Sequence, residues 1–258
     1  MNSMNYPIIN NMLGHFPRNE KIDFGKFNDE NCSICRELYY NCNIIYSTEN
    51  FSIIPDVGQV TEGYIQIISN KHKDLVDFSS ITKLPYHLFK ELKELISYTK
   101  TLLKNKYGNS FVFEHGETSH IKKDNNIHTT HLHIHIVPIE SSIMPQIKLN
   151  KSLEIKNIQS IYELLDFSSN NQPYFFIEDL DNICYLITYI SIESQIFRKY
   201  INNLDVVRSE NKKWLKANNY LLDSFDCWDC MKFRPADRFY KTFEVLRNEY
   251  INNYKHEQ

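Results

Sequence analysis

The clearest pattern along the chain is an alternation of apolar and polar positions over residues 129–138, where His131, His133 and His135 alternate with Leu132, Ile134 and Ile136. A period of two sends successive side chains to opposite faces and predicts a half-buried β-strand. Similar but shorter patterns predict two strands in 43–54 around the polar turn Ser47–Asn50, a third over 64–69 entered through Gly63, and a fourth over 109–113. Between the third and fourth the period changes to that of a helix. Leu88, Leu92, Leu95, Ile96, Tyr98, Leu102 and Leu103 form one apolar face over 82–106, with Thr82 as cap, Pro85 in the first turn and Gly108 at the end. The polar stretch 117–127 reads as a loop.

After Pro138 the pattern shifts. Residues 140–150 read as a linker and 152–166 as a short helix. Strands are expected over 174–178 and 184–190, and helices over 191–203, 209–218 and 235–254. The predicted organisation is an N-terminal arm (1–25), an α+β domain (26–145) with an antiparallel sheet and flanking helices, and a C-terminal α+β extension (146–258).

Composition narrows the function. The chain has 258 residues, 42% hydrophobic and 24% charged, with a formal net charge of −3. Basic residues form no block, so strong nucleic-acid binding is not expected. Gly is scarce at 6 copies and no glycine-rich phosphate loop occurs. No apolar run approaches the roughly 18 residues of a membrane span, and the polar N-terminus lacks a signal-peptide core. The expectation is a cytoplasmic protein with no membrane partner. Six cysteines include two CxxC pairs, Cys32/Cys35 and Cys227/Cys230, which in a reducing compartment point to metal or redox chemistry before disulfides.

His115, His120, His128, His131, His133 and His135 crowd into 21 residues of a chain with ten histidines. On a strand, alternate imidazoles stand in a row about 6.5–7 Å apart. Two chemistries suit such a row: a shared metal ion, or a nucleophilic imidazole with neighbours that donate hydrogen bonds. A plain polar surface is the alternative without a role.

The run His131-Leu-His133-Ile-His135-Ile-Val, trailed by Pro138, resembles the signature of the histidine-triad (HIT) superfamily. Cys32-Ser-Ile-Cys35, Asp56, the Gly63-entered strand and Ser69-Asn-Lys-His72 resemble that family's upstream elements over roughly residues 30–140. The resemblance implies a HIT-like fold and a reaction in which the middle histidine, His133, attacks the α-phosphorus of a nucleotide. His135 and His128 are then the phosphate or leaving-group donors, although histidine at 128 departs from the family's usual Ser or Thr. Asp56 is implied to accept hydrogen bonds from ribose hydroxyls, with Ile54 and Val57 flanking the base. Glu114 takes the polar position before a turn in which Gly116 lets the backbone approach phosphate. Zinc-containing members further imply a structural Zn2+ on Cys32, Cys35, His72 and His131. A site of four cysteines, drawn from both CxxC pairs, is the other metal arrangement.

The leading expectation is a nucleotide phosphate-bond hydrolase working on a dinucleoside polyphosphate, nucleoside phosphoramidate or similar conjugate. Its alternatives are a nucleotidyltransferase or phosphorylase of the same superfamily, a non-catalytic zinc-stabilised nucleotide-binding module, and a metallohydrolase with zinc on the triad. Ser194-Gln195-Ile-Phe-Arg198 resembles an element of longer HIT-like proteins, in which Arg198 reaches either a phosphate or a surface carboxylate. Arg234-Pro-Ala-Asp-Arg238 and Trp228 read as packing. The C-terminal part resembles a degenerate second HIT-like half; the chain is expected as a homodimer, or as a monomer where this part replaces a second subunit.

Overall fold

A computed structural model describes residues 34, 43–70, 79–116, 131–167, 172–190, 192, 195–219 and 236–256. They form a mixed α+β fold around one eight-stranded sheet. The strands are β1 (Tyr46–Ser47), β2 (Phe51–Pro55), β3 (Ile65–Ser69), β4 (Ser110–Gly116), β5 (His133–Pro138), β6 (Leu153–Ile158), β7 (Tyr174–Glu178) and β8 (Cys184–Tyr189). Their order is β1-β2-β3-β5-β4-β7-β8-β6, and every neighbouring pair is antiparallel. The helices are α1 (Tyr86–Tyr107), α2 (Met144–Leu149), α3 (Leu164–Phe167), α4 (Ile196–Asn202), α5 (Asp205–Ala217) and α6 (Ala236–His256). Among the described residues no helix is long and apolar enough to cross a membrane.

Alternation along each strand separates two cores. Ile53, Ile65, Ile67, Val112, Ile134, Ile136 and Phe176 face α1, whose Leu88, Phe89, Leu92, Leu95 and Leu103 fill the layer above them. Phe111, Phe113, Val137, Phe175, Ile177 and Ile187 face the opposite way, under Met144 and Ile147 of α2, Phe197 and Ile201 of α4, and Val207 and Leu215 of α5. The sheet is covered on both faces, the condition under which strand residues of both parities become apolar.

The sheet runs unbroken across the boundary expected near 145: β7 pairs directly with β4, with Phe113 opposite Ile177 and His115 opposite Phe175. Three segments differ from expectation. Residues 153–158 form an edge strand, because Leu153 and Ile155 turn inward while Glu154 and Lys156 face solvent. The expected linker contains α2, which buries Met144 and Ile147. Helix α1 begins at Tyr86 rather than at Thr82, since Leu84 precedes Pro85 and adopts the extended conformation that position favours. Thr82 lies in a separate 3-10 turn, Ile81–Lys83.

The loop between β2 and β3 is held by the C-terminal helices. Asn211 of α5 donates to the Val60 carbonyl (3.0 Å), and Arg238 of α6 donates to Asn211 (2.6 Å) and to the Gln59 carbonyl (3.3 Å). Thr242 accepts from the Gly63 N–H (2.9 Å) and donates to Gln59 (3.0 Å). Gln59 in turn donates to the carbonyls of Asp56 and Tyr64, at 2.6 Å each. Arg238 also lies over the Trp214 ring (5.5 Å to its centroid).

Candidate active site

Strand β5 starts at His133, and register defines the face its histidines occupy. His135 lies between Gln66 of β3 and Phe113 of β4, so His133 and His135 share the face covered by α2, α4 and α5. Their rings approach edge to face at 5.1 Å. His131 precedes the strand and is buried, its Nδ1 against the Ser69 carbonyl (3.1 Å) and hydroxyl (3.3 Å).

His133 is half-buried. Its Nδ1 lies 2.9 Å from the His131 carbonyl oxygen. A carbonyl only accepts, so Nδ1 carries the proton and the lone pair of the neutral ring is on Nε2. Burial lowers the pKa of this imidazole from its usual value, favouring the neutral form. The ring is therefore neutral, with Nδ1 directed to the His131 carbonyl.

His135 is 7% exposed and stacks on Phe113 with ring centroids 4.4 Å apart. Desolvation pushes its pKa down to about 4, against the opposing pull of Asp56, so it is neutral at pH 7. Its Nδ1 is 2.8 Å from the Tyr64 hydroxyl, 3.4 Å from Asp56 Oδ2 and 3.5 Å from the Gln66 amide nitrogen.

Asp56 is fully buried. Arg198 of α4 reaches both carboxylate oxygens through one Nη2, at 2.7 and 2.5 Å. The Gly58 N–H (2.6 Å) and Gln66 (2.6 Å) complete its partners. Burial alone would raise this carboxyl's pKa; the Arg198 guanidinium and His135 overcome that and hold it well below the usual carboxylate range. The acceptor capacity expected for ribose hydroxyls is thus spent inside the protein. Arg198, expected at a phosphate or on the surface, is the partner of this carboxylate.

Other expected residues are placed as follows. Ile54 packs with Ile34, Ile44 and Ile68 in a small apolar cluster. Register puts Ile54 opposite Gln66 and Ile68 opposite His133, on the histidine face. Val57 is half-buried in the loop. Glu114 is on the other face, opposite Ile134, where it accepts from the Ile81 N–H (2.7 Å) and the Tyr174 hydroxyl (2.6 Å). These contacts join the Ile81–Lys83 turn to the sheet on the face away from His133 and His135. Gly116 is likewise explained by packing, because a Cβ there would collide with the Tyr174 ring. His128, Cys32, Cys35 and His72 lie outside the described residues.

The expectation of a structural zinc is corrected. Among the described residues no group of three or more His, Cys, Asp or Glu could hold a metal ion. His131, the one described member of the expected ligand set, has its Nδ1 engaged by Ser69.

Two supports of His135 are not singled out by the sequence pattern. Tyr64 and Gln66 carry the contacts to His135, and their even spacing on a strand with a polar residue at 66 was the available signal. His115 stacks on Phe175 (4.2 Å) and hydrogen-bonds the Tyr189 hydroxyl. Comparison with protein-family models and with curated proteins finds no match to this chain.

Proposed function

We propose that the chain is a nucleotide phosphate-bond hydrolase of histidine-triad type, with His133 as nucleophile. The observation that carries this reading is the His133 Nδ1–H donated to the His131 carbonyl at 2.9 Å. It leaves Nε2 as the lone-pair atom of a neutral ring on the same sheet face as His135. In the proposed reaction Nε2 attacks the α-phosphorus in line, a P–N bond forms, and the bond to the leaving group breaks. The positive charge gained by the imidazole is stabilised at Nδ1–H by that same carbonyl. Water then attacks phosphorus, the P–N bond breaks with its electrons returning to Nε2, and the nucleotide departs with the loss of one proton. A donor from His135 to an equatorial oxygen stabilises the charge that builds up there. The apolar cluster of Ile34, Ile44, Ile54 and Ile68 beside His133 suits the flank of a base. The antiparallel sheet and the triad motif together support a HIT-like fold for residues 26–145.

The test is a trapping experiment. The protein is mixed with radiolabelled adenosine phosphoramidate or diadenosine polyphosphate and quenched in base. Acid-labile label on the wild type, lost in His133→Ala, is the expected result. Turnover of these nucleotides by His133→Ala at the wild-type rate would overturn the assignment.

A further inference from the structure

We propose that Arg198 is a positioning residue that acts through Tyr64 to fix the proton of His135 on Nε2; the consequence for catalysis, a donor held permanently beside His133, rests on the reading given above.

The argument follows the protons. Arg198 Nε–H can only donate, and it lies 3.3 Å from the Tyr64 oxygen. The phenol has one proton of its own, which burial keeps in place by raising the hydroxyl's pKa well above the ordinary value. With its oxygen accepting from Arg198, Tyr64 directs that proton to His135 Nδ1, 2.8 Å away. The Gln66 amide nitrogen at 3.5 Å is also a donor toward Nδ1. The competing acceptor is Asp56 Oδ2 at 3.4 Å, already engaged by Arg198 at 2.5 Å and Gln66 at 2.6 Å. Nδ1 therefore accepts, and in a neutral ring Nε2 bears the hydrogen.

Arg198 is itself built into place. Gln195 adopts a left-handed backbone (φ 62°) and its amide oxygen accepts from Arg198 Nη1 at 2.8 Å. A non-glycine residue in that region is a local strain that persists only when its surroundings require it. Across the guanidinium, a Cβ at Gly58 would stand 3.2 Å from Arg198 Cζ and Nη1; the glycine leaves that space to the arginine. Phe113 fixes the plane of the His135 ring. Through Arg198 the C-terminal extension thus reaches Tyr64 and, by way of it, His135.

The relay makes neighbouring histidines opposite tautomers: His133 protonated on Nδ1, His135 on Nε2. Imidazole 15N spectra of the full-length protein, with histidine labelled, read this without any substrate. Among the ten histidine rings, the resonances assigned to His133 and His135 in the wild type should be one of each kind at neutral pH. Tyr64→Phe keeps the ring packing but deletes the relay, and His135 should pass to a mixture or to the Nδ1–H form. Arg198→Lys keeps a cation for Asp56 but has one nitrogen where arginine places Nη2 on Asp56 and Nε on Tyr64, and it should also lose the single Nε2–H form. A purely electrostatic role for Arg198 would be rescued by lysine. With adenosine phosphoramidate, kcat should fall about 100-fold in Tyr64→Phe, with KM changing much less. Finding His135 protonated on Nδ1 in wild type, or on Nε2 unchanged in both variants, overturns the proposal. Loss of the expected label at His133 with both tautomer shifts intact would instead sink the hydrolase reading and leave the relay standing.

Discussion

Arg198→Met removes the guanidinium in contact with a carboxylate that has no exposure to water. Both oxygens of Asp56 lose that charged donor, leaving the Gly58 N–H and the Gln66 amide. Stripping one partner from a buried ion pair costs about 3–5 kcal/mol, because the remaining charge stays desolvated. For a domain of this size each kcal/mol is worth about 2–4 °C, so the melting temperature should fall by about 6–20 °C. The cost is conditional on charge. In Asp56→Asn/Arg198→Met both charges are gone, and a double-mutant cycle by urea denaturation should return a coupling of about 2–3 kcal/mol. The pH dependence should also change sign. In the wild type the depressed carboxyl pKa contributes stability that is present above the unfolded value of about 3.9 and lost as pH falls below it. In Arg198→Met burial acts without its counterweight and raises that pKa, so the folded state takes up a proton first and the penalty shrinks on acidification. A coupling below about 0.5 kcal/mol, or a deficit that stays constant with pH, would refute the claim that this pair is the electrostatic centre of the site.

Further expectations follow from single contacts. His135, with its pKa pushed down to about 4, contributes stability that is complete above about pH 6.5 and lost as pH falls toward 4; at about 1.4 kcal/mol per pH unit this amounts to about 3 kcal/mol. Urea midpoints of His135→Gln should be flatter than wild type across that window. Gly116→Ala should destabilise by about 1–3 kcal/mol, since the Tyr174 ring fills the position of the new methyl, and wild-type stability in that variant would show the glycine to be idle. Tyr174→Phe should cost about 1–3 kcal/mol by removing the hydroxyl's hydrogen bond to the buried Glu114 Oε2. Its labelling at His133 should be unaffected, because Glu114 faces away from the histidines.

The parts of this fold that are legible in the sequence are those in which one period dominates. Helix α1 has a single buried face and its period announces it, while strands β2 to β5, buried on both faces, are legible as short apolar runs bounded by turn residues. Residues 153–158 read as helix because their alternation is short and weak on a sheet edge. The segment at 140–150 reads as a linker because Met144 and Ile147 sit among polar residues. At the site, His133 and His135 are visible through motif and period. Their supports are not: Arg198 meets Asp56 from 142 positions away in the chain, and no local spacing encodes that contact. Glu114 shows the opposite failure, since parity on β4 sends it to the other face although it stands next to His115 in sequence.

The pairing of β7 with β4 has a consequence for how the protein is made. On the ribosome, the histidine strand emerges well before the segments that complete its surroundings. Until residues 174–198 follow, β4 presents an open edge and Asp56 awaits its arginine; until 236–247 follow, the loop between β2 and β3 lacks Arg238 and Thr242. An exposed strand edge is a template for wrong pairing, and a half-made domain is most vulnerable at that stage. A fragment ending at 145 should aggregate rather than act as a small independent enzyme, and the site matures only when nearly the whole chain is available.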